Sequence, residues 1–352
     1  MEMLNSFSTL LALNDDLWKI LINVFSNWLV NFGWAIIVFT IVLKLVMSPL
    51  DIFQRKASQK QSRVMSVMQP EMIKLQQKYG NDKEKLNQEQ AKLYKKYNVN
   101  MGGMCLNMLL TMAISLVVFF TLYSSLRAYG TEKLYVSYQE LDKVYISAEA
   151  EAVEQGLTGE DKSNHIYTVV ENAYDEQTKQ NSWLWVKNVW KSDTNTSQYV
   201  DFDSYANYFN IVDTEEVKAR ELAKGRYDEI TSIINQTNPG QNGYYVLIIL
   251  AAVVSFLTQF LSTKLMTPKG QKMNMMNIIM FAIIPITMVI LASTSNVVFT
   301  LYVIVNSIMT AIISTIIALV MKKKNKDKDD TDIVLSNKRV EVVEYSRNYK
   351  KK

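Results

Sequence analysis

The chain has one cysteine and one histidine in 352 residues. A lone Cys105 excludes an intrachain disulfide. Cys105 and His165 together are too few for a Cys/His zinc site or a Cys–His nucleophile pair. The eleven glycines form neither G-x-G-x-x-G nor G-x-x-x-x-G-K-S/T, so the common nucleotide loops are missing as well. The residues of most enzyme chemistry are therefore absent, and no cofactor or metal site is expected. Charge is scarce too, at 20% of residues, and almost vanishes from long stretches.

Those stretches set the fold class. Apolar runs at 34–50, 105–126, 244–263, 276–293 and 297–321 each approach the roughly 17–25 residues a helix needs to cross a bilayer. They run apolar rather than alternating, which argues against a membrane β-barrel. The expectation is an all-α integral membrane protein with five transmembrane helices. Its parts are an N-terminal interfacial amphipathic helix (1–33), a first span (34–50), a cytoplasmic helical hairpin (51–104), a second span (105–126), an enlarged acidic extracellular loop (127–243), three further spans (244–321) and a basic cytoplasmic tail (322–352).

Charge supplies the orientation. Basic minus acidic residues come to +6 over 51–104, −9 over 127–243, +3 over 264–273 and +5 over 322–352. Basic segments stay on the cytoplasmic side, so the N-terminus is placed outside and the C-terminus inside. No ordinary signal peptide is visible, since the N-terminus has neither a basic n-region nor an A-x-A site. In 17–32, Lys19, Asn23, Asn27 and Asn31 recur every four residues as a polar stripe on an apolar helix, which suits the headgroup region.

The hairpin reads as helices over 52–79 and 82–97 joined at Gly80-Asn81. Asn81 is the expected N-cap with Glu84 as its partner, and Pro70 is expected to kink or restart the first helix. Its apolar seam (Met72, Leu75, Leu86, Leu93, Tyr97) is thin. Outside the membrane, 213–234 reads as an amphipathic helix, and His165 as a solvated surface residue.

Lys44 is the only formal charge within a predicted span. A lysine at the bilayer centre costs about 2.5–3.5 kcal/mol on insertion scales, and no intramembrane acid is in view. Two solutions stay open: the side chain snorkels past Leu50, roughly 9 Å away, or it faces a wet cavity. Thr111 and Ser115 on the second span, Thr258, Gln259 and Ser262 on the third, and Asn306, Ser307, Thr310 and Ser314 on the fifth add polar faces. Each of these alone is ordinary interhelical hydrogen bonding; together they favour the cavity.

At these residues the chain resembles a family. Lys44-Leu45-Val46-Met47-Ser48-Pro49-Leu50 with Gln54, Gln69-Pro70-Glu71, Leu75-Gln76-Gln77-Lys78-Tyr79, Val99-Asn100 and Cys105, then Trp183-Leu184-Trp185-Val186, Gln259, Leu301-Tyr302 and Thr310, are similar to the YidC/Oxa-type membrane protein insertases in their Gram-positive-like form. The resemblance implies a non-enzymatic insertase and chaperone of the bacterial cytoplasmic membrane. Such a protein holds a hydrophilic groove open to cytoplasm and lipid and closed to the outside. Lys44 falls where the family carries its groove cation, usually arginine. Lys44, Thr111, Ser115, Gln259, Tyr302, Asn306 and Thr310 would line the groove. Implied partners are nascent membrane proteins, the Sec translocon, the lipid bilayer and, through the basic tail, the ribosome; no DNA is expected. Thr111 replaces a frequent glutamine, Met101, Asn107 and Ala113 stand where prolines are common, and Asn296-Val297-Val298 replaces the usual Pro-Ala-Gly. The competing readings are a small-anion transporter using Lys44, and a scaffold for the translocon without insertion activity.

Overall fold

The computed structural model describes residues 17–97, 101–194, 200–214, 218–266 and 275–326. Among the described residues the protein is helical apart from its connections and one isolated bridge, Trp183 to Val186. Helix α1 covers 17–28. It is followed by α2 (Phe32–Tyr79), α3 (Lys83–Lys96), α4 (Met101–Glu154), α5 (Gly159–Asn181), α6 (Phe202–Tyr208), α7 (Ala219–Thr237), α8 (Val246–Met266), α9 (Met275–Thr294) and α10 (Val297–Lys326). Among the described residues four helical stretches are long and apolar enough to cross a membrane: Phe32–Lys56, Ala113–Glu154, Val246–Leu265 and Val297–Val320. The run at 276–293 coincides with α9. The tail beyond 326 and the side chain of Cys105 lie outside the described residues.

Two helices run straight through the limits that hydropathy suggests. α2 continues from the apolar run into the hairpin and carries Pro49 and Pro70 within its 48 residues, so Pro70 neither ends nor restarts it. α4 continues for 54 residues, out of the apolar run and into the acidic region. Hydropathy changes near 127, but nothing there breaks a helix: Gly130 is the single poor helix former, and it is needed. A Cβ on Gly130 would lie 2.3 Å from Asn296 Nδ2, where α4 passes the start of α10.

The chain packs as two units. The first comprises 1–43, 117–256 and 282–307. One core within it joins Trp18 and Ile22 of α1, Ile36 and Phe39 of α2, Leu122, Leu126 and Tyr129 of α4, Leu247 and Ala251 of α8, and Val297 to Ile304 of α10. Val186, Val189 and Trp190 of the segment after α5 join the same core, with Trp190 edge-on to Phe32 (4.9 Å) and Tyr129 (5.4 Å). Beyond it, the α4 extension, α5, α6 and α7 share a second core around Tyr138, Val170, Tyr205, Tyr227 and Ile230. α7 starts and ends later than the expected 213–234. Its buried residues Ala223, Tyr227, Ile230 and Ile234 recur at three and four, and the polar start expected at 213 lies outside that stripe. His165 is half-buried, with Nε2 3.6 Å from Glu151, rather than solvated.

Of the expected polar stripe, Lys19, Asn23 and Asn31 face protein, and Asn27 is exposed. Lys19 pairs with Glu132 at 3.0 Å, Tyr129 donates to Asn23 Oδ1, and Trp18 donates to Thr121 at 3.2 Å inside the core. Asn31 accepts from the Gly33 amide (3.0 Å), capping α2, and donates to the carbonyl of Ser182. The exposed face is the apolar one: Leu17, Ile20, Val24 and Trp28. Lys19, Asn23 and Asn31 are thus explained by partners that sit more than a hundred residues away.

The segment 181–193 holds the first unit together at the span ends. Carbonyls of Lys191 and Val189 accept from the first amides of α10, Val297 (2.9 Å) and Val298 (3.1 Å). Asp193 accepts from the first-turn amides of α8, Leu247 (3.1 Å) and Ile248 (3.4 Å). One stretch of chain therefore satisfies the orphan donors of two helices. Asn296 caps α10 through the Phe299 amide (3.0 Å) and ties it to the Leu126 carbonyl of α4 (2.9 Å).

The second unit comprises 44–116, 257–281 and 308–352. Its described side chains bury far less: Met68, Leu93, Ile313 and Ile317 are its buried hydrophobics, while Leu45, Val46, Leu116, Leu257, Phe260, Ile312 and Leu319 are exposed. The seam of the hairpin is as thin as its sequence suggests.

Candidate functional site

Lys44 sits on α2 one turn before Ser48-Pro49. Proline has no N–H, which frees the carbonyl four residues back. That carbonyl belongs to Leu45, and the Ser48 hydroxyl donates to it at 2.8 Å. The Ser-Pro pair lets an apolar helix carry a proline with its backbone satisfied.

Two turns beyond Lys44, on the same face, lies Asp51. Lys44 Nζ is 2.7 Å from Asp51 Oδ2, with side chains 14% and 21% exposed. The expectation of an unpaired cation is therefore corrected. Hydropathy assigned Asp51 to the cytoplasmic connector, but seven residues of helix, about 10.5 Å, is within reach of an extended lysine and a carboxylate. The side chain does run toward the Leu50 end, and it stops at an acid. The contact is close but off the hydrogen-bonding direction, and Asp51 Oδ2 has no aligned donor. Arg55, one further turn on, interacts electrostatically with the same carboxylate. The cluster is two cations around one anion.

The other expected groove residues distribute as follows. Ser115 of α4 is exposed, and Gln259 of α8 and Thr310 of α10 are half-buried; these belong with Lys44 to the second unit. The Thr310 carbonyl accepts from the buried Ser314 hydroxyl. Thr111 lies on α4, and its side chain is outside the described residues. Tyr302 and Asn306 belong to the first unit: Tyr302 is buried in its core, 6.0 Å from the Phe299 ring, and Asn306 is half-buried. Sequence reasoning missed Asp51 and Ser48. The signal was there in the i, i+7 spacing and in the serine directly preceding a helical proline.

The hairpin offers a second feature. The end of α2 and α3 flank a cleft of about 540 Å³ lined by Lys74, Lys78, Lys92 and Lys96, with Leu75 and Leu93 on its floor. Two acids share the lining: Glu89, paired with Lys92 at 2.6 Å, and Glu71, which accepts from Tyr97 (2.7 Å) and Lys96 (3.3 Å). Burial opposes ionisation of Glu71, but these hydrogen bonds win and hold its carboxyl below the ordinary value. Burial and the same carboxylate push Tyr97 up to about 12. The cap of α3 is Asp82, accepting from Lys85 at 3.1 Å, and not Asn81; Glu84 consequently stands one position early for a capping box.

A family model described as "60Kd inner membrane protein" matches residues 24–326. Among similar proteins, the "Membrane protein insertase YidC" of Nitratidesulfovibrio vulgaris (strain DSM 19637 / Miyazaki F) is 42% identical over 106 residues, which cover 30% of this chain and 18% of that protein. The protein of the same name from Clostridium tetani is 39% identical over 102 residues, covering 29% and 44%. That of Fusobacterium nucleatum is 33% identical over 126 residues, covering 36% and 60%. The matched stretch thus takes in less than two thirds of the length of each of these relatives.

Proposed function

The chain belongs to the 60Kd inner membrane protein family, and on that premise we propose that it is a membrane protein insertase and chaperone. In this reading α2, α4, α8, α9 and α10 make five spans, with the N-terminus outside and the C-terminus inside. A groove lined by Lys44, Thr111, Ser115, Gln259, Tyr302, Asn306 and Thr310 opens toward cytoplasm and lipid. The observation that carries the reading is the charged cluster Lys44–Asp51–Arg55, set where described side chains pack thinly.

Mechanism follows from charge conservation. An acidic outer tail of a client exchanges places with Asp51 on Lys44, while Arg55 retains Asp51. No charge is left alone at any point, so the exchange avoids the penalty of an uncompensated buried ion. The client's apolar helix then moves along α8 and α10 into lipid, driven by removal of its surface from water. Lys44 lacks the planar fork of arginine and makes a single contact, which favours release of the tail. The hairpin cleft, basic at its rim and apolar at its floor, receives the emerging segment. Clients are nascent membrane proteins; the Sec translocon and the ribosome are further partners of this reading.

Photocrosslinking tests it. A photoreactive residue is placed along α2, α8 and α10 in the full chain, with an arrested nascent single-span protein as client. Crosslinks from the faces carrying Lys44, Gln259 and Thr310 are the expected result. Crosslinks confined to the hairpin, or none, reject the groove. Reconstituted protein that moves small anions and inserts nothing would establish transport instead.

A further inference from the structure

A polar pocket of about 280 Å³ opens in the first unit where α9 ends and α10 begins. Arg127, Lys191, Ser192, Asp201, Thr294 and Ser295 are among its lining. Asp201 interacts electrostatically with Lys191 while it caps α6 by accepting from the Ser204 amide at 2.9 Å, and Arg127 adds a second cation to the lining. Among the described residues no ion pair within 4 Å is found for the Arg127 guanidinium. Ser295 is 3% exposed, and its Oγ has no hydrogen-bond partner. A buried hydroxyl without a partner is unfavourable, and here it lines a cationic pocket.

A second observation says what approaches. On α9, Ile283, Ile286 and Ile290 are each more than half exposed, and with Thr294 they are spaced three and four apart. They form one apolar line that ends at the pocket. α9 stops at Thr294 and α10 starts at Val297, so the pocket lies where the spans leave the hydrocarbon.

We propose that this pocket binds the phosphate of an anionic phospholipid, with an acyl chain laid along Ile283, Ile286 and Ile290. The cations supply charge-assisted hydrogen bonds, and Ser295 supplies a neutral donor. Burial pushes the Lys191 ammonium down to about 8, with Asp201 opposing, and a bound phosphate raises it again. The assignment rests on α9 and α10 crossing the bilayer and is independent of the insertase reading.

The test is lipid retention by the purified full chain in native mass spectrometry. Phosphatidylglycerol and phosphatidylcholine with identical acyl chains are compared, with inorganic phosphate as a third arm. Phosphatidylglycerol is expected to be retained preferentially. Arg127→Gln should lower that retention about fivefold, and Arg127→Gln with Lys191→Gln about thirtyfold, taking the typical attraction of one cation at an anionic surface for each. Arg127 is exposed, so its single variant keeps the fold, which unchanged melting verifies. Ile286→Gln should weaken lipid retention and leave phosphate unaffected. Equal retention of the two lipids, or indifference to Arg127→Gln, overturns the site. Inorganic phosphate binding as well as the lipid, with the same dependence on Arg127, overturns the lipid as its occupant.

Discussion

Removing the Lys44 amine separates two roles the lysine could have. Lys44→Met leaves Asp51 without its ion-pair partner, its carboxylate 21% exposed. Breaking a buried pair from one side costs about 3–5 kcal/mol. Arg55 still interacts with Asp51, and neither side chain is fully dry, so the lower range applies: about 2–3 kcal/mol. Asp51→Asn leaves Lys44 in apolar surroundings and should cost a similar amount. Lys44→Met/Asp51→Asn removes both charges and should recover at least half of either loss, because no charge is then uncompensated. Reversible unfolding in mild detergent, run as a double-mutant cycle, reads the coupling. Insertion of a short single-span client with an acidic outer tail is measured on the same variants. Stability should return in the double variant, and insertion should not, since the tail has lost its partner. Coupling below about 0.5 kcal/mol, the usual scatter for independent sites, would refute the ion pair. Full insertion by the double variant would refute the exchange of carboxylates and reduce Lys44 to the counter-ion of Asp51.

Three further outcomes are expected. A Cβ on Gly243 would lie 1.5 Å from Asp193 Oδ1, so Gly243→Ala should displace the cap of α8 and lower stability by about 1–2 kcal/mol; an unchanged melting temperature would contradict it. The Glu71 carboxyl is held below its ordinary value of 4.5. Its contribution to the hairpin is therefore present above that value and is lost as pH falls through the lower folded-state value. Amide exchange in α3 should accelerate over that window in the native protein and show no such step in Glu71→Gln. In the bundle of the α4 extension with α5, α6 and α7, Arg226 grips Asp142 at 2.7 Å and 3.1 Å, with side chains 25% and 14% exposed. Arg226→Met should cost about 3 kcal/mol, visible as preferential proteolysis within 134–237 while α8 and α10 stay protected.

How much of this the sequence carries depends on the range of the interaction. Apolar runs located the four candidate spans among the described residues because each run is its own evidence. The end of the first hairpin helix at Tyr79 and the bounds of α3 were legible to within a residue because their turn is local, whereas the expected start at 52 lies inside α2. The continuity of α2 and α4 was hidden, since hydropathy reports the surroundings of a helix and not its ends. Asp51 was hidden for the same reason: a boundary drawn at the edge of an apolar run separated two side chains that share a helix face. The partners of Lys19, Asn23 and Asn31 could not be read at all, because they sit on α4 and at the end of α5. The double cap formed by Lys191 and Asp193 is likewise a contact between segments more than fifty residues apart. A lone aspartate in an acidic loop carries no mark of the helix it will cap.

The uninterrupted helix α4, which runs from the apolar stretch into the bundle with α5, α6 and α7, has an evolutionary consequence. One residue inserted between Leu126 and Tyr138 would rotate everything beyond it by about 100° and advance it by about 1.5 Å. Leu126 would stay with Asn296 while Tyr138 left Tyr205 and Tyr227. Insertions and deletions are therefore excluded from this stretch, and the acidic domain can grow or shrink only past Glu154, at the turn where Gly156 takes a φ of 69°.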